Sequence, residues 1–224
     1  MNIVAIVQAR LGSKRLPNKV MKLINNVPMI EIILRRLSKS KVLNNIVVAT
    51  SDDSEDIKLK NFINTLGYDC EQGSRDDVLN RYICVATKYK ADLIVRITGD
   101  CPLIDPDLVD QVIQKFIKDN VDYCSNINPP TYPDGLDVEV IKLSALKKTS
   151  ENTTTNFDKE HVTPYIISSE IFSKFNIENN QDLSNLRLTV DNPEDLIVCR
   201  AVYDKFKKNA PKIPLLDVVR FLDN

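Results

Sequence analysis

The sequence predicts an α/β protein built on one mostly parallel sheet with helices on both faces. Three observations carry this expectation. Short β-branched runs recur through the first part of the chain, each too apolar to face water on either side, as in parallel strands covered by helices. Longer amphipathic segments separate them and give the order β-α-β-α-β. The chain has 224 residues, 43% of them hydrophobic. A chain of that size buries roughly 70% of its unfolded surface in one large domain, without disulfide staples.

Taken in order, residues 3–7 (IVAIV) form the first buried strand. Pro28 opens a helix in which Ile30, Ile33, Leu34 and Leu37 share a face. Residues 46–49 are the second strand, and 54–66 a helix stopped near Gly67. Asp76 or Asp77 caps a helix running to about Tyr89, with Val78, Tyr82 and Val85 as its inner stripe. Residues 93–97 (LIVRI) are another buried strand, followed by a loop and a helix over 106–119. Beyond about residue 125 the rhythm loosens. Residues 126–133 (NINPPTYP) read as a turn-rich loop and 136–140 (LDVEV) as an alternating strand. Residues 150–156 read as a polar, mobile loop, 161–169 as a short helix, and 186–190 as a return to strand. Asn192-Pro193 starts a final helix with Leu196, Ile197 and Val202 facing inward. Residues 1–224 are thus expected to be a single domain with an excursion at about 126–185, the chain rejoining the sheet at 186.

Composition narrows the chemistry. With 30 Lys+Arg against 31 Asp+Glu, the net charge of -1 excludes a nucleic-acid binder working through a broad basic face. The single histidine, His161, excludes a multi-histidine zinc site and leaves any catalytic triad only that residue. Cys70, Cys84, Cys101, Cys124 and Cys199 are dispersed and never spaced C-x-x-C, the pattern of reduced cytosolic thiols. The N-terminus lacks the basic region of a signal peptide, and no apolar stretch approaches 18 residues. A soluble, cytoplasmic protein with neither nucleic-acid nor membrane partner is expected. Only five glycines are present, which directs attention to places where glycine meets charge.

The densest such place is 8–19, QARLGSKRLPNK. A buried strand runs into a loop carrying Arg10, Lys14, Arg15 and Lys19 with Gly12 and Ser13 and no acid. Close backbone N–H donors together with guanidinium and ammonium groups are what a polyphosphate needs. A solvated basic loop is the competing reading. The segment matches neither the Walker pattern nor G-x-G-x-x-G. Asp100 lies just past the 93–97 strand beside Gly99. That position suits Mg²⁺, which takes one or two protein carboxylates and completes its shell with water and phosphate, or an ordinary turn. Asp191 again follows an expected strand, with a helix N-cap as the alternative. Two such aspartates are placed to share a metal while the basic loop binds a phosphate tail, which describes a magnesium nucleotide site.

Six segments extend this over nearly the whole chain: QARLGSKRLPNKV, GSRDDVLNRY (73–82), VRITGDCPLIDP (95–106), YPDGLDVEV (132–140), EHVTPYI (160–166) and LRLTVDNPEDL (186–196). Together, and in this order, they resemble the cytidylyltransferase family. The nearer likeness is to its branch named for spore-coat polysaccharide biosynthesis, relatives of the CMP-Kdo and CMP-sialic acid synthetases. The resemblance implies a three-layer nucleotide-diphospho-sugar transferase (GT-A-like) fold, CTP as nucleotide donor and Mg²⁺ as cofactor. It implies that Gln8, Ala9, Arg10, Gly12, Ser13 and Lys19 hold the CTP triphosphate, with Arg15 reaching phosphate or acceptor. It places Ser74, Asp77 and Arg81 near base and ribose, in a pocket also lined by Thr98 and Gly99. Asp100 and Asp191 become the metal ligands, and with Arg10 and Lys19 the catalytic set. Asp137, Glu139, His161 and Arg187 face the acceptor, and a homodimer through 126–185 is implied.

Simpler readings stand beside these. His161 follows Glu160 near a helix terminus, where a surface or cap role is common. Asp137 and Glu139, two apart on a strand, share a face that is pocket or solvent. Arg81, four residues after Asp77, is spaced for a surface ion pair. The expected reaction is transfer of CMP from CTP to a sugar-acid, phosphorylated or phosphonate acceptor with release of pyrophosphate, in surface polysaccharide or glycoconjugate biosynthesis. A GT-A-type glycosyltransferase using a nucleotide sugar, with Asp105-Pro106-Asp107 as its D-x-D, and a non-catalytic nucleotide-binding protein are the alternatives.

Overall fold

A computed structural model describes residues 1–222, so positions 223 and 224 of the expected domain lie outside the described residues. The chain opens with β1 (Ile3–Gln8), whose five leading residues are buried. A basic loop follows, then the small β2–β3 hairpin (Leu23–Ile24, Val27–Pro28) and α1 (Met29–Leu37). Next come β4 (Asn45–Ser51), α2 (Ile57–Thr65), β5 (Asp69–Gly73) and α3 (Val78–Lys88). β6 (Leu93–Thr98) leads through a loop into α4 (Pro106–Asp119) and β7 (Tyr123–Ser125). The later chain supplies β8 (Glu139–Lys142), α5 (Leu143–Asn152), α6 (Asn156–His161), α7 (Pro164–Ser168) and β9 (Lys174–Asn176). Helices α8 (Pro193–Lys205) and α9 (Leu215–Leu222) follow.

Seven strands form one sheet in the order β5-β4-β1-β6-β8-β7-β9. β1 pairs in parallel with β4 and β6, and β4 with β5, whereas β8 runs antiparallel to both β6 and β7. Alternation along β1 divides the interior. Ile3, Ala5 and Val7 join one core with α1, α2, α4, α8 and α9, and Val4 and Ile6 join the other with α3, α5 and α7. Three layers result, with helices on both faces as the sequence predicts. Gln8 stands in register with Ala49 and Thr98, so β1, β4 and β6 finish together and their following loops share one edge, where parallel sheets hold their ligands.

The sequence departs from this picture at identifiable places. β5 was not anticipated: it is an edge strand in which only Cys70 is buried, so it carries no apolar run. The 136–140 strand is shifted to β8, because the side chain of Asn126 takes the backbone of Leu136 and Val138 out of the ladder. Residues 150–152 complete α5 instead of forming a loop, and Thr153 and Thr155 donate to Asp158 at the start of α6. The 161–169 helix is broken at Val162, whose positive φ separates α6 from α7. Residues 186–190 do not rejoin the sheet. Their N–H groups bond to loop carbonyls at 134 and 100, while β8 and β9 of the 126–185 segment belong to the sheet. Ile197 is 64% exposed because the inner stripe of α8 is Leu196, Cys199, Val202 and Tyr203. α8 is also followed by a further helix, α9.

Arg36 on α1 is 1% exposed and has no carboxylate partner among the described residues. Its guanidinium donates to the carbonyls of Ile104, Leu103, Pro211 and Ile213, tying α1 to the loop after β6 and to the segment before α9. A buried arginine satisfied by carbonyls fixes those loops together at little electrostatic gain.

Gly135 tests the packing of the 134–135 turn against 188–189. Its φ is +104°, and a Cβ there stands 2.4 Å from the Thr189 nitrogen. Gly135→Ala is therefore expected to lose on the order of 3 kcal/mol, seen as a Tm drop of about 6–12 °C. Gly67→Ala, at φ +82° with nothing within 4 Å, is expected to lose only about 1 kcal/mol. Equal losses at the two positions would contradict the packing assigned to Gly135.

Candidate active site

The loop after β1 is held by its apolar and backbone groups, leaving its charges for the cleft. Leu11 and Leu16 are buried. The Leu11 N–H donates to the buried carboxylate of Asp56 at 2.7 Å, and Asn18, with φ 54°, returns its N–H to the Leu11 carbonyl. Lys19 begins a single 3₁₀ turn. On the neighbouring strand end, Gly99 donates to the Gln8 carbonyl at 2.8 Å, and a Cβ at Gly99 falls 2.9 Å from that same oxygen. The bare glycine backbone lets the two loops meet without a side chain between them.

A cleft of about 600 Å³ opens between these loops, α3 and α6. Of the residues expected there, Gln8, Ala9, Arg10, Gly12, Ser13, Arg15, Lys19, Arg81, Thr98, Gly99, Asp100, His161 and Asp191 line it. Lys14, Val20, Arg75, Asp76, Val78 and Glu160 line it as well. Ser74 and Asp77 do not. Ser74 Oγ accepts from the Asp77 N–H, and Asp77 in turn caps α3 by accepting from the Asn80 N–H at 2.8 Å. Both side chains are thereby spent on the helix start, and their neighbours Arg75 and Asp76 take the cleft wall. Nothing in the residue types distinguishes the two pairs; only the capping geometry does.

Three acceptor-side candidates also stand outside the cleft lining. Glu139 is 1% exposed, ion-paired with Arg96 and accepting from the Tyr123 hydroxyl at 2.7 Å, so its carboxylate is spent inside the protein. Arg187 donates to Asp134 (2.6 Å), Asp191 (2.8 Å) and Asp195 (3.1 Å), bracing three carboxylates. Asp137 lies close enough to Asp134, Glu139 and Asp100 to feel their charge. Burial, reinforced by Asp134 and Glu139, pushes its carboxyl up to about 6. His161 does reach the cleft, its ring stacked 4.5 Å from that of Phe157.

Charge at the floor is organised around Lys19. Its Nζ lies 2.9 Å from Asp100 Oδ2 and 2.8 Å from Asp191 Oδ1. Burial works against the ammonium, but the charge of Asp100 and the hydrogen bonds to both carboxylates hold its pKa above the usual lysine range. Asp191 also accepts from Arg15 and Arg187. Burial opposes its ionisation, yet the bond from Lys19 and these cations keep its carboxyl below the usual range. Arg81 is 3% exposed and, among the described residues, has no carboxylate partner and leaves its Nε without a hydrogen bond. Its Nη1 donates to the Ser74 carbonyl at 3.3 Å, and burial with the nearby Arg10 charge lowers its pKa.

Asp100 and Asp191 thus converge on one cationic point from chain positions far apart. Two carboxylates so aimed, with water and phosphate oxygens completing the shell, are the donor set a hard divalent cation takes. Among the described residues no group of three or more His, Cys, Asp or Glu forms a metal cluster. The fit is therefore to a cation shared with a phosphate ligand, not to an all-protein cage.

A basic phosphate-sized loop at the strand ends of an α/β sheet, facing the paired carboxylates of Asp100 and Asp191, is the arrangement of a nucleotidyl-transferring enzyme. The chain belongs to the cytidylyltransferase family, whose model matches residues 4–217, and is a CTP-using nucleotidyltransferase. It is 38% identical over 226 residues to an uncharacterized protein of Methanocaldococcus jannaschii, covering 100% of this chain and 91% of the other. It is 32% identical to the spore coat polysaccharide biosynthesis protein SpsF of Bacillus subtilis, covering 91% and 87% respectively. The solved structure of a cytidylyltransferase from Leptospira borgpetersenii superposes with a TM-score of 0.95 at 31% identity, over 100% of this chain and 94% of that one.

Two predictions follow from the acidic residues beside the cleft. Glu139→Gln strands the buried Arg96 charge and is expected to lose about 3–5 kcal/mol, read as a shifted denaturation midpoint. A loss below 1 kcal/mol would mean that Arg96 finds another partner. For Asp137, a carboxyl raised from 3.8 to about 6 binds its proton more tightly when folded. The stability it contributes is present below pH 3.8 and is lost as pH rises through 6. Asp137→Asn should therefore raise Tm by a few degrees at pH 7.5 and leave it unchanged near pH 3.5. A gain of equal size at both pH values would assign the effect to something other than ionisation.

Proposed function

We propose that the protein transfers CMP from CTP to a sugar-acid, phosphorylated or phosphonate acceptor and releases pyrophosphate, in the making of a surface polysaccharide or glycoconjugate. One observation supports this most directly: the basic loop and the two carboxylates meet at Lys19, on the floor of the same cleft. In this reading an acceptor oxygen attacks the α-phosphorus. The bond from that phosphorus to the bridging oxygen breaks, and pyrophosphate leaves with the electron pair. Arg10, Ser13 and Lys19 hold the triphosphate and offset charge growing on the departing pyrophosphate, while Gln8, Ala9 and Gly12 offer backbone approach. Arg15 reaches phosphate or acceptor. Thr98, Gly99 and Arg81 bound the base and ribose end, and His161 with Glu160 the acceptor rim. Asp100 and Asp191 would hold Mg²⁺, which when bound polarises the α-phosphate and acceptor oxygen. Positioning and electrostatics carry such chemistry, and no covalent nucleophile is needed.

The nucleotide-sugar alternative loses its main support. Asp105 caps α4 by accepting from the Asp107 N–H, and Asp107 pairs with Lys212, so this D-x-D is committed to the helix start. A cytoplasmic location and a homodimer through 126–185 complete the proposal. The exposed Phe157, Ile171 and Phe175 lie on that segment, and sedimentation equilibrium measures the mass directly.

A pyrophosphate-release screen with CTP against acidic, phosphorylated and phosphonate metabolites tests the reaction. Asp100→Asn is expected to lower kcat at least about a hundredfold with the best acceptor. Near wild-type turnover in that variant would remove Asp100 from the mechanism.

A further inference from the structure

Two carboxylates aimed at one point repel each other unless a cation sits between them. In this structure the cation is part of the protein. The Lys19 side chain is only 13% exposed, and its ammonium contacts both Asp100 and Asp191. The remaining contacts reinforce the closure. Asp191 Oδ1 is shared between Lys19 and Arg15, while Oδ2 accepts from Arg187. Among the described residues Asp100 Oδ1 meets only the Cys101 thiol, at 3.5 Å. Lys19 is also the last residue of the loop expected to receive phosphate, so one side chain serves two competing sets of anions.

We infer that Lys19 is an internal counter-ion that closes the Asp100–Asp191 pair to divalent cations until nucleotide phosphate draws the ammonium away. The inference rests on the reading of these aspartates as the metal-holding pair, and adds an order to it. Without nucleotide the carboxylates are already neutralised, and a divalent cation must displace the ammonium to enter. A triphosphate supplies the oxygens to which Lys19 turns and also the remaining ligands the cation needs. Metal and nucleotide binding are therefore positively coupled, and by linkage each strengthens the other by the same factor. The apparent metal affinity of the free protein is reduced by the small fraction of molecules in which Lys19 has left the pair.

Mn²⁺ binding to the whole protein, measured by electron paramagnetic resonance of the free ion, tests this. Wild type is expected to bind Mn²⁺ weakly alone and much more tightly with CTP present and acceptor absent. Lys19→Gln is expected to bind Mn²⁺ at least about tenfold more tightly than wild type without CTP, and to gain less than wild type does when CTP is added. Lys14→Gln removes the same charge from a residue that lines the same cleft but does not contact the pair, and should leave Mn²⁺ affinity within about twofold of wild type. Mn²⁺ alone should also raise the Tm of Lys19→Gln but not of wild type. This readout, repeated with Lys19→Met, survives a destabilised variant. No gain in Lys19→Gln, or an equal gain in Lys14→Gln, would overturn the counter-ion role while leaving the metal pair intact. Failure of wild type to bind Mn²⁺ even with CTP would remove the metal pair itself, and this inference with it.

Discussion

Everything at the cleft depends on a clasp of backbone hydrogen bonds near the end of the chain. The N–H groups of Leu188 and Thr189 donate to the Asp134 carbonyl, and that of Val190 donates to the Asp100 carbonyl at 2.8 Å. These bonds take a segment that belongs to no sheet and fix Asp191 opposite Asp100. Gly135 allows the approach because any larger residue would collide with the 188–189 backbone. Arg187 then braces the segment by spanning Asp134, Asp191 and Asp195, and Asp195 accepts from the N–H groups of Asp191 and Asn192 at the start of α8. A capping box and an ion-pair network thus set the second carboxylate where two loops of the sheet already converge.

Such an arrangement concentrates acid. Asp100, Asp134, Asp191 and Asp195 are answered by Lys19, Arg15 and Arg187, and Asp137 lies beside them. Asp137 is enclosed there, and burial, reinforced by the charges of Asp134 and Glu139, is what raises its carboxyl. Arg81 shows the opposite imbalance, a buried cation on the cleft wall that forms no ion pair among the described residues. Buried charge without a partner is costly to a fold, and both residues mark places where the site departs from the rules that govern the core.

Much of the fold was legible because its signals are local. The 106–119 helix was read to its ends, since Asp105 caps it, Pro106 occupies its first turn and Asn120 stops it in a left-handed conformation. The basic character of the loop after β1 is legible for a similar reason: its four cations fall within ten residues. What escaped is what only tertiary contact decides. Residues 186–190 alternate like a strand because Leu188 and Val190 are buried, yet their hydrogen bonds go to loops. Glu139 and Arg187 have the residue types of ligand-binding groups, but charges within the protein claim them: Arg96 pairs with Glu139, and Asp134, Asp191 and Asp195 with Arg187. The resemblance points to Ser74 and Asp77, but the capping turn of α3 takes their side chains and leaves Arg75 and Asp76 on the cleft wall.

The distance along the chain between the two parts of the floor has a consequence for how the enzyme comes into being. Lys19 and Asp191 are separated by 172 positions, so at common synthesis rates of about 5–20 residues per second the basic loop exists for roughly 10–30 s before its second carboxylate is made. A nascent chain, or one cut before residue 186, carries the anion-attracting loop and Asp100 without Asp191. Such fragments have a nucleotide's electrostatic lure but half of its acidic floor. Closure of the acidic floor thus comes late, when residues 188–190 dock onto the carbonyls of Asp134 and Asp100.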